Sequence, residues 1–282
     1  MSRDADGIPD KASARRSFEQ AAAHYDEAAV LQREVGTRLL ERLGLMRLQP
    51  QRILDLGCGT GQCIESLFGR YRKARVVALD IAQPMLRYAG CRGRWLRRPQ
   101  TVCADAERLP FSDNSFDLVF SNLMLQWCTD LDAAFKELRR VLRPGGLLLF
   151  SSFGPDTLKE LRASWRAVDQ YAHVNTFLDM HDVGDALVRA RFADPVMDVE
   201  HLTVTYPDVW QLMRELKQIG AHNVTGGRPR GLTGKQRIQK LVEAYEQFRS
   251  DGVLPASYEI VNGHAWVSED TVNVSLETRR LP

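Results

Sequence analysis

The stretch that decides the fold runs Ile53-Leu54-Asp55-Leu56-Gly57-Cys58-Gly59-Thr60-Gly61. Its apolar start predicts a buried strand that carries one acid, Asp55. The three glycines at every second position predict a tight turn, where the backbone takes positive φ or comes close to a ligand. Apolar residues then recur at helical spacing from Ile64 to Phe68. Strand, glycine turn and helix together are typical of the unit that cradles nucleotides in doubly wound α/β folds.

A second acid lies where a nucleotide-binding fold needs one. Asp80 closes the next apolar run, residues 76–79, and lies 19 residues after Gly61. At this spacing a carboxylate accepts hydrogen bonds from ribose hydroxyls. A glycine turn also occurs where a strand simply meets a helix, and the G-x-G-x-G spacing differs from that of dinucleotide folds. Asp55 and Asp80 together nevertheless favour a bound ligand.

Three further segments follow in the order that one enzyme superfamily shows. They are Asp105-Ala106 before Leu109-Pro110-Phe111, the strand-like run 116–122, and Arg143-Pro144-Gly145-Gly146. Residues 50–152 thereby resemble the class I methyltransferases that use S-adenosylmethionine (SAM). The resemblance implies that Asp55 lies at the methionine end of SAM, Asp80 at its ribose and Asp105 at its adenine. The residues implied to bind SAM, which leaves as S-adenosylhomocysteine, are Asp55, Gly57, Gly59, Gly61, Asp80, Ile81, Asp105, Ala106 and Asn122.

Strand-like and helical segments alternate along the chain, which predicts an α/β fold with a doubly wound, mostly parallel sheet of seven strands. The predicted strands are 52–56, 75–79, 100–103, 116–121, 146–152, 195–206 and 257–267. The predicted parts are an N-terminal helical lid segment (1–49), a SAM-binding core (50–206), a helical insertion (207–256), a final core strand (257–267) and a polar tail (268–282).

Composition bounds the class of protein. The 282 residues are 44% apolar and 26% charged, which is ordinary for a globular protein. A net charge of +2 argues against a general nucleic-acid binder. We see no secretory signal and no apolar run of the roughly 18–20 residues that span a bilayer, so we predict a cytoplasmic protein without a membrane partner. The five cysteines form no C-x-x-C pair, which argues against disulfides and zinc, and we expect no metal site.

The segment before the first strand is a candidate lid. It begins at Phe18 and ends in Tyr25 and Asp26. One interpretation is an amphipathic surface helix. The other is a cover that brings Tyr25, our candidate catalytic residue, over the sulfonium and excludes water. Trp127, after the fourth strand, is predicted to pack rather than to stack on a ligand.

Two clusters of basic residues stand out. The first lies within the predicted insertion, where residues 226–240 contain five positive side chains and no acid: Arg228, Arg230, Lys235, Arg237 and Lys240. It is either a solvated face or a dock for an acidic partner. The second cluster is predicted to be plain surface because it lies away from the expected site. Its members are Arg87, Arg92, Arg94, Arg97 and Arg98.

Four longer segments narrow the resemblance from the class I methyltransferases as a whole to one family among them. They are Phe18 to Arg33, Gln126-Trp127-Cys128, His173-Val174-Asn175 and Leu216 to Ala221. With them, residues 15–267 are similar to the malonyl-[acyl-carrier protein] O-methyltransferases of biotin synthesis. This resemblance implies methylation of the free carboxylate of a malonyl group carried on acyl-carrier protein or on coenzyme A. The residues that we assign to the substrate are His173, Asn175, Arg228, Arg230 and Arg237; His173 could instead cap a helix.

Two alternatives stay open. Residues 153–158 and 254–258 also resemble segments of the mitochondrial complex I assembly factors of this fold, which are associated with arginine hydroxylation on a partner subunit. The acids Asp4, Asp6 and Asp10 argue against a mitochondrial transit peptide. A SAM-binding scaffold without catalysis is the other alternative, and methyl transfer to a malonyl thioester would separate the enzyme from both.

Overall fold

The computed structural model describes residues 10–221 and 234–269. The strands are β1 (Arg52–Leu56), β2 (Arg75–Asp80), β3 (Gln100–Cys103), β4 (Phe116–Ser121), β5 (Leu142–Phe153), β6 (Ala193–Tyr206) and β7 (Leu254–Trp266). The α-helices are α1 (Lys11–Ala21), α2 (Tyr25–Ala28), α3 (Val30–Arg42), α4 (Ile64–Arg70), α5 (Gln83–Ala89), α6 (Leu131–Val141), α7 (Lys159–Arg166), α8 (Met180–Arg189), α9 (Val209–Gln218) and α10 (Lys235–Glu246). Short 3₁₀ turns cover Leu43–Leu45 and Leu125–Trp127.

The strands form one seven-stranded sheet in the order β3-β2-β1-β4-β5-β7-β6. The pairs among β1 to β5 are parallel, and β7 runs antiparallel to both β5 and β6. The strand order reverses between β1 and β4, because the chain builds outward to β3 and then returns to the other side of β1. Loops at the carboxyl ends of these two strands diverge, which leaves a crevice at that edge of the sheet. The predicted fold class is confirmed.

The central strands are buried from both sides. In β4 every residue is buried, so the strand reads as an apolar run rather than an alternation. One face packs on α6 through Phe135 and Leu138, and the other packs on α4 through Ile64 and Leu67. The buried acid of β4, Asp117, accepts hydrogen bonds from the backbone N–H groups of residues 51 and 52 at 2.8 Å each. These bonds tie the start of β1 to β4.

Differences from the predicted elements lie at their ends. The predicted N-terminal helical segment is interrupted, because Ala29 takes a non-helical backbone (φ −81°, ψ 48°) between α2 and α3. The final strand begins at Leu254, three residues before the predicted start, so the insertion ends sooner. Within the insertion, α9 packs against α2 and α10 packs against α7. Among the described helices, none is long and apolar enough to cross a membrane.

Candidate active site

The glycine loop joins β1 to α4 and is tied to β2. The N–H groups of Gly57 and Cys58 both donate to the carbonyl of Leu79, at 2.8 and 3.0 Å. All three glycines of the loop take positive φ, between 52° and 81°, a region that glycine enters without steric cost. A Cβ on Gly57 would overlap Met124, whereas a Cβ on Gly59 would meet only one atom of Tyr25, at 3.8 Å. Gly59 therefore leaves open space in front of the loop.

That space is part of a cleft of about 940 Å³ at the carboxyl ends of β1, β2 and β4, which we call the cofactor cleft. The structure brings eight of the ten predicted cofactor and catalytic residues to its walls: Tyr25, Gly57, Gly59, Asp80, Ile81, Asp105, Ala106 and Asn122. Asp55 lies in a neighbouring annex, described below. Gly61 lines neither space, because a Cβ there would face Ile64 and Ala89 behind the loop. We infer that Gly61 serves packing.

Asp80 is held in place by the backbone on two sides. Its Oδ2 accepts the N–H of Gly59 at 2.9 Å, and its Oδ1 accepts the N–H of Ala82 at 2.8 Å. Burial raises the pKa of this carboxyl, although these backbone bonds oppose the shift. Each carboxylate oxygen can accept more than one hydrogen bond. Asp80 thus fixes the glycine loop and still offers acceptors to a ligand diol in the cleft.

Asp105 has a partner that the sequence did not suggest. Lys11, at the start of α1, places Nζ 2.6 Å from Oδ2 of Asp105 and 2.6 Å from Oε2 of Glu107. Burial opposes a charged Lys11, but the two carboxylates raise its pKa. Lys11 also lines the cofactor cleft. It therefore closes the end of the cleft where adenine was predicted to bind.

The annex beside the cleft contains two buried acceptors that find no partner in the described part of the chain. These are Oδ2 of Asp55 and Oε1 of Gln32, and both residues line this space together with Gly57 and Gly59. Burial, with the nearby charge of Asp80, raises the pKa of Asp55 to about 7. Buried polar atoms are rarely left unpaired in native proteins. An ammonium group would satisfy both, so the annex fits the methionine end of SAM, and Gln32 joins the site.

Asp26 ties the lid segment to the glycine loop through the following contacts, which we call the Asp26 latch. Oδ1 of Asp26 accepts a hydrogen bond from Nε2 of Gln62 at 2.9 Å, and Oδ2 of Asp26 forms an ion pair with Arg92. Arg92 also donates to the carbonyl of Thr60 at 3.0 Å. The latch sets Tyr25 over Gly59, and burial raises the pKa of the Tyr25 phenol, so it stays protonated.

The latch corrects the prediction that the second basic cluster is plain surface. Arg92 belongs to the latch. Arg97 is also structural, since it donates to the carbonyls of Phe68 and Tyr71, at 2.9 and 2.5 Å, and lies over the Phe68 ring. Sequence position could not reveal these bonds, because they join the cluster to loops that come much earlier in the chain.

Asn122 and Trp127 form the wall of the cofactor cleft opposite the loop. Nδ2 of Asn122 donates to the carbonyl of Gln32 at 2.8 Å, and its Oδ1 accepts from Ser151 at 2.8 Å. Trp127 packs edge-to-face on Phe18 of α1, with ring centroids 5.1 Å apart. Both rings line the cleft. Packing of Trp127 is confirmed, and the same packing places it at the ligand space.

The residues predicted to bind substrate lie apart from the cofactor cleft. His173 stacks on Trp165, with centroids 3.6 Å apart, and its Nε2 lies 2.8 Å from Oδ1 of Asp169. Asn175 is buried close by and lines the same cavity as His173. Nη1 of Arg237 lies 3.8 Å from Oδ2 of Asp169. Two further residues of this prediction, Arg228 and Arg230, lie outside the described residues.

Comparison with known proteins adds family evidence to this geometry. The family model "Methyltransferase domain" matches residues 54–150. A malonyl-[acyl-carrier protein] O-methyltransferase from Methylovorus sp. (strain MP688) is 54% identical over 263 residues, covering 91% of this chain and 89% of that protein. The same-named protein of Gallionella capsiferriformans (strain ES-2) is 53% identical, with 94% of each chain covered.

Solved structures agree on the fold. A crystal structure described as a putative methyltransferase from Bacillus halodurans C-125 superposes with a TM-score of 0.59. It is 20% identical, and the match covers 82% of this chain and 99% of that one. At this identity the likeness shows a shared fold, and it matches the sheet order and crevice described above.

Proposed function

The chain belongs to the malonyl-[acyl-carrier protein] O-methyltransferase family, and on this premise we propose that it methylates the free carboxylate of a malonyl group carried on acyl-carrier protein. The observation that carries the proposal is identity above 50%, over about nine tenths of the chain, to proteins that bear this name. The reaction would belong to an early step of biotin synthesis.

The cofactor cleft supports the proposed methyl donor. Asp80 and Asp105, which we assign to the ribose and adenine of SAM, both line the cleft, and Gly59 leaves room for a ligand beside the loop. The annex provides two unpartnered acceptors, on Asp55 and Gln32, for the ammonium of its methionine end. When bound, SAM supplies an electrophilic methyl group, which the malonyl carboxylate takes up as an ester while S-adenosylhomocysteine leaves.

The side chains of the cleft fit a reaction that needs no general base. A carboxylate with a reference pKa of about 4 is already ionised at neutral pH. Among the described residues that line the cleft there is no histidine, and its one lysine, Lys11, is paired with two carboxylates. The chain's task is then to align the reacting groups and to exclude water, and alignment by itself can lower a barrier by several kcal/mol.

Tyr25 is the residue that we assign to this alignment. Its ring covers Gly59, and the Asp26 latch holds it there. Because its phenol stays protonated, it offers an O–H donor that can orient the incoming carboxylate without removing a proton. Asn122, fixed by bonds at both ends of its amide, keeps the facing wall rigid.

The alternative of an assembly factor or arginine-modifying protein is not favoured, because relatives at 42–54% identity carry the O-methyltransferase name. The direct test incubates purified protein with SAM and malonyl-acyl-carrier protein and follows the carrier by mass spectrometry. We expect a mass increase of one methylene unit that needs both the protein and the malonyl group. Carrier protein loaded with an acetyl group, which has no free carboxylate, should stay unchanged. No mass change on the malonyl form would reject the proposal.

A further inference from the structure

Beyond the cofactor cleft, two further cavities continue through the protein. The inner chamber shares part of its wall with the cleft, formed by Gln32, Trp127, Phe153, Ile219 and Ala221. The outer chamber shares part of its wall with the inner one, formed by Leu158, Asn175, Phe177, Leu216 and Ala221. Ala221 lines all three spaces. The cleft and the two chambers therefore form a row of adjoining cavities.

The chambers are mostly apolar and lie under the insertion. Their walls come from α7, the segment 173–177 and α9, with Leu161, Met213 and Leu216 among the contributors. No Lys or Arg occurs among the described residues that line either chamber. The inner chamber also has polar side chains in its wall, from Gln32, Thr157, Asn175, Glu215 and Tyr258. Such a lining suits an uncharged, flexible chain with a few amide groups.

Exposed cations directly follow three of the residues that line the outer chamber. Arg166 follows the lining residue Trp165, Arg214 follows Met213, and Lys217 follows Leu216. All three cations are exposed, and none forms an ion pair with the described part of the chain. Arg237 adds a fourth, near the Asp169 that holds His173. The row of cavities is therefore acidic in the cofactor cleft and mostly apolar in the chambers, and exposed cations lie next in sequence to residues of the outer chamber.

We infer that the two chambers are the passage for the pantetheine arm of the acyl substrate. An acyl thioester on this arm has a compatible order of groups: an acyl end that must reach the methyl donor in the cleft, an uncharged arm with two amides, and a phosphate at the far end. The acyl end would enter the cofactor cleft past Gln32 and Trp127. The phosphate and its carrier would remain outside the outer chamber, on the side of the exposed cations Arg166, Arg214 and Lys217. The inference rests on the proposed function and names the route to that site.

A plug in the outer chamber tests the passage. Met213 is half-buried, projects from α9 and lines only the outer chamber. Met213→Trp should fill this space and raise the KM for malonyl-acyl-carrier protein and for malonyl-coenzyme A at least tenfold, because both carry the arm. Calorimetry should give an unchanged Kd for SAM. The matched control is Gln211→Trp, an exposed position of the same helix, which should behave as the parent does.

A second substitution that fills the outer chamber, on a different segment, controls for a folding artefact. Val174, also half-buried, lines only the outer chamber, and Val174→Trp should reproduce the rise in both KM values. The passage is rejected if both plugged variants retain the parent melting temperature and methylate both substrates as well as Gln211→Trp does. It is equally rejected if SAM affinity falls as much as substrate affinity. If the parent itself methylates neither substrate, the proposed function fails first.

Discussion

The cofactor cleft and the two chambers are built from different kinds of sequence. The acids of the cleft come from the ends of neighbouring parallel strands, so Asp55, Asp80 and Asp105 meet at one edge of the sheet. The chambers are assembled from α3, the segment after β5, residues 173–177 and α9. The cleft is therefore a property of the fold class, whereas the chambers depend on what this chain adds to it.

This difference in origin suggests that the cleft binds the cofactor, whereas the chambers provide specificity for the substrate. The cleft presents charge and fixed backbone to the proposed cofactor. The chambers present apolar surface under a helical insertion, where specificity for a long substrate can arise without altering the cofactor. Substitutions in the two regions should consequently change different constants, and the following experiments rank these effects by size.

The largest effect is expected at Asp80. Asp80→Ala removes the acceptor that faces the cleft and the anchor of the Gly59 N–H, so the Kd for SAM should rise more than tenfold, the loss of one or two charge-assisted hydrogen bonds. Calorimetry measures it. Asp185→Ala, at an exposed position of α8, is the matched control. An unchanged Kd would remove Asp80 from the cofactor site.

A pH dependence should follow from Asp55. With a pKa of about 7, Asp55 gains its charge as pH rises through neutrality, whereas the α-amino group of SAM, with a reference pKa of about 7.7–8.0, stays mostly protonated up to pH 7.5. SAM should bind about tenfold more tightly at pH 7.5 than at pH 5.5. Asp55→Asn should flatten this profile, and a profile of equal slope in the variant would contradict the assignment.

The same group affects stability in the opposite direction when SAM is absent. A carboxyl whose pKa rises on folding stabilises the folded state below its unfolded value near 3.8 and loses that contribution as pH rises toward 7. The melting temperature of the ligand-free protein should therefore gain from Asp55→Asn at pH 8 more than at pH 5. Thermal unfolding at both pH values, for parent and variant, measures the difference.

A smaller effect is expected from the basic cluster of the insertion. Arg228→Glu with Arg237→Glu should raise the KM for malonyl-acyl-carrier protein about fivefold through a slower association. The KM for SAM should not change, and malonyl-coenzyme A should be affected less because it lacks an acidic protein surface. The effect should fade with added salt, since the screening length is about 8 Å at 0.15 M. Equal changes for both malonyl substrates would speak against a carrier-protein dock.

The matched control for this charge reversal is Arg72→Glu with Lys73→Glu. These exposed residues lie between α4 and β2, next to the amino end of β2, so a general effect of net charge would appear in them too. A KM shift of the same size in the control would assign the change to overall charge rather than to the insertion.

The smallest effect is expected at Tyr25. Tyr25→Phe keeps the ring over Gly59 and removes only the O–H, so turnover should fall about threefold, the weight of one modest hydrogen bond. The melting temperature and the Kd for SAM should stay at the parent values. Equal turnover in parent and variant would leave Tyr25 as a cover and not as an aligning donor.

Much of the cofactor cleft could be predicted from the sequence. An apolar run, a glycine turn and an acid at the start of each loop are local patterns, and parallel strands bring their carboxyl ends to one edge. This is why Gly59 and Asp80 could be expected at the cleft from local patterns, whereas Asp105 came from the family resemblance; all three line the cleft. The role of Gly61 stays a prediction; a Cβ there would meet Ile64 and Ala89, and spacing alone does not say whether a glycine faces a ligand or the core.

Only the tertiary structure decided the partners that lie far apart in the chain. Lys11 meets Asp105 across 94 positions, and Arg92 meets Asp26 across 66. Gln32 joins Asp55 in the annex without any shared motif. Contacts of this kind carry no periodicity, because they depend on how separate elements pack. The sequence of this protein therefore determined the sheet, the glycine loop and the acids, while packing decided the latch, the annex and the passage to the cleft.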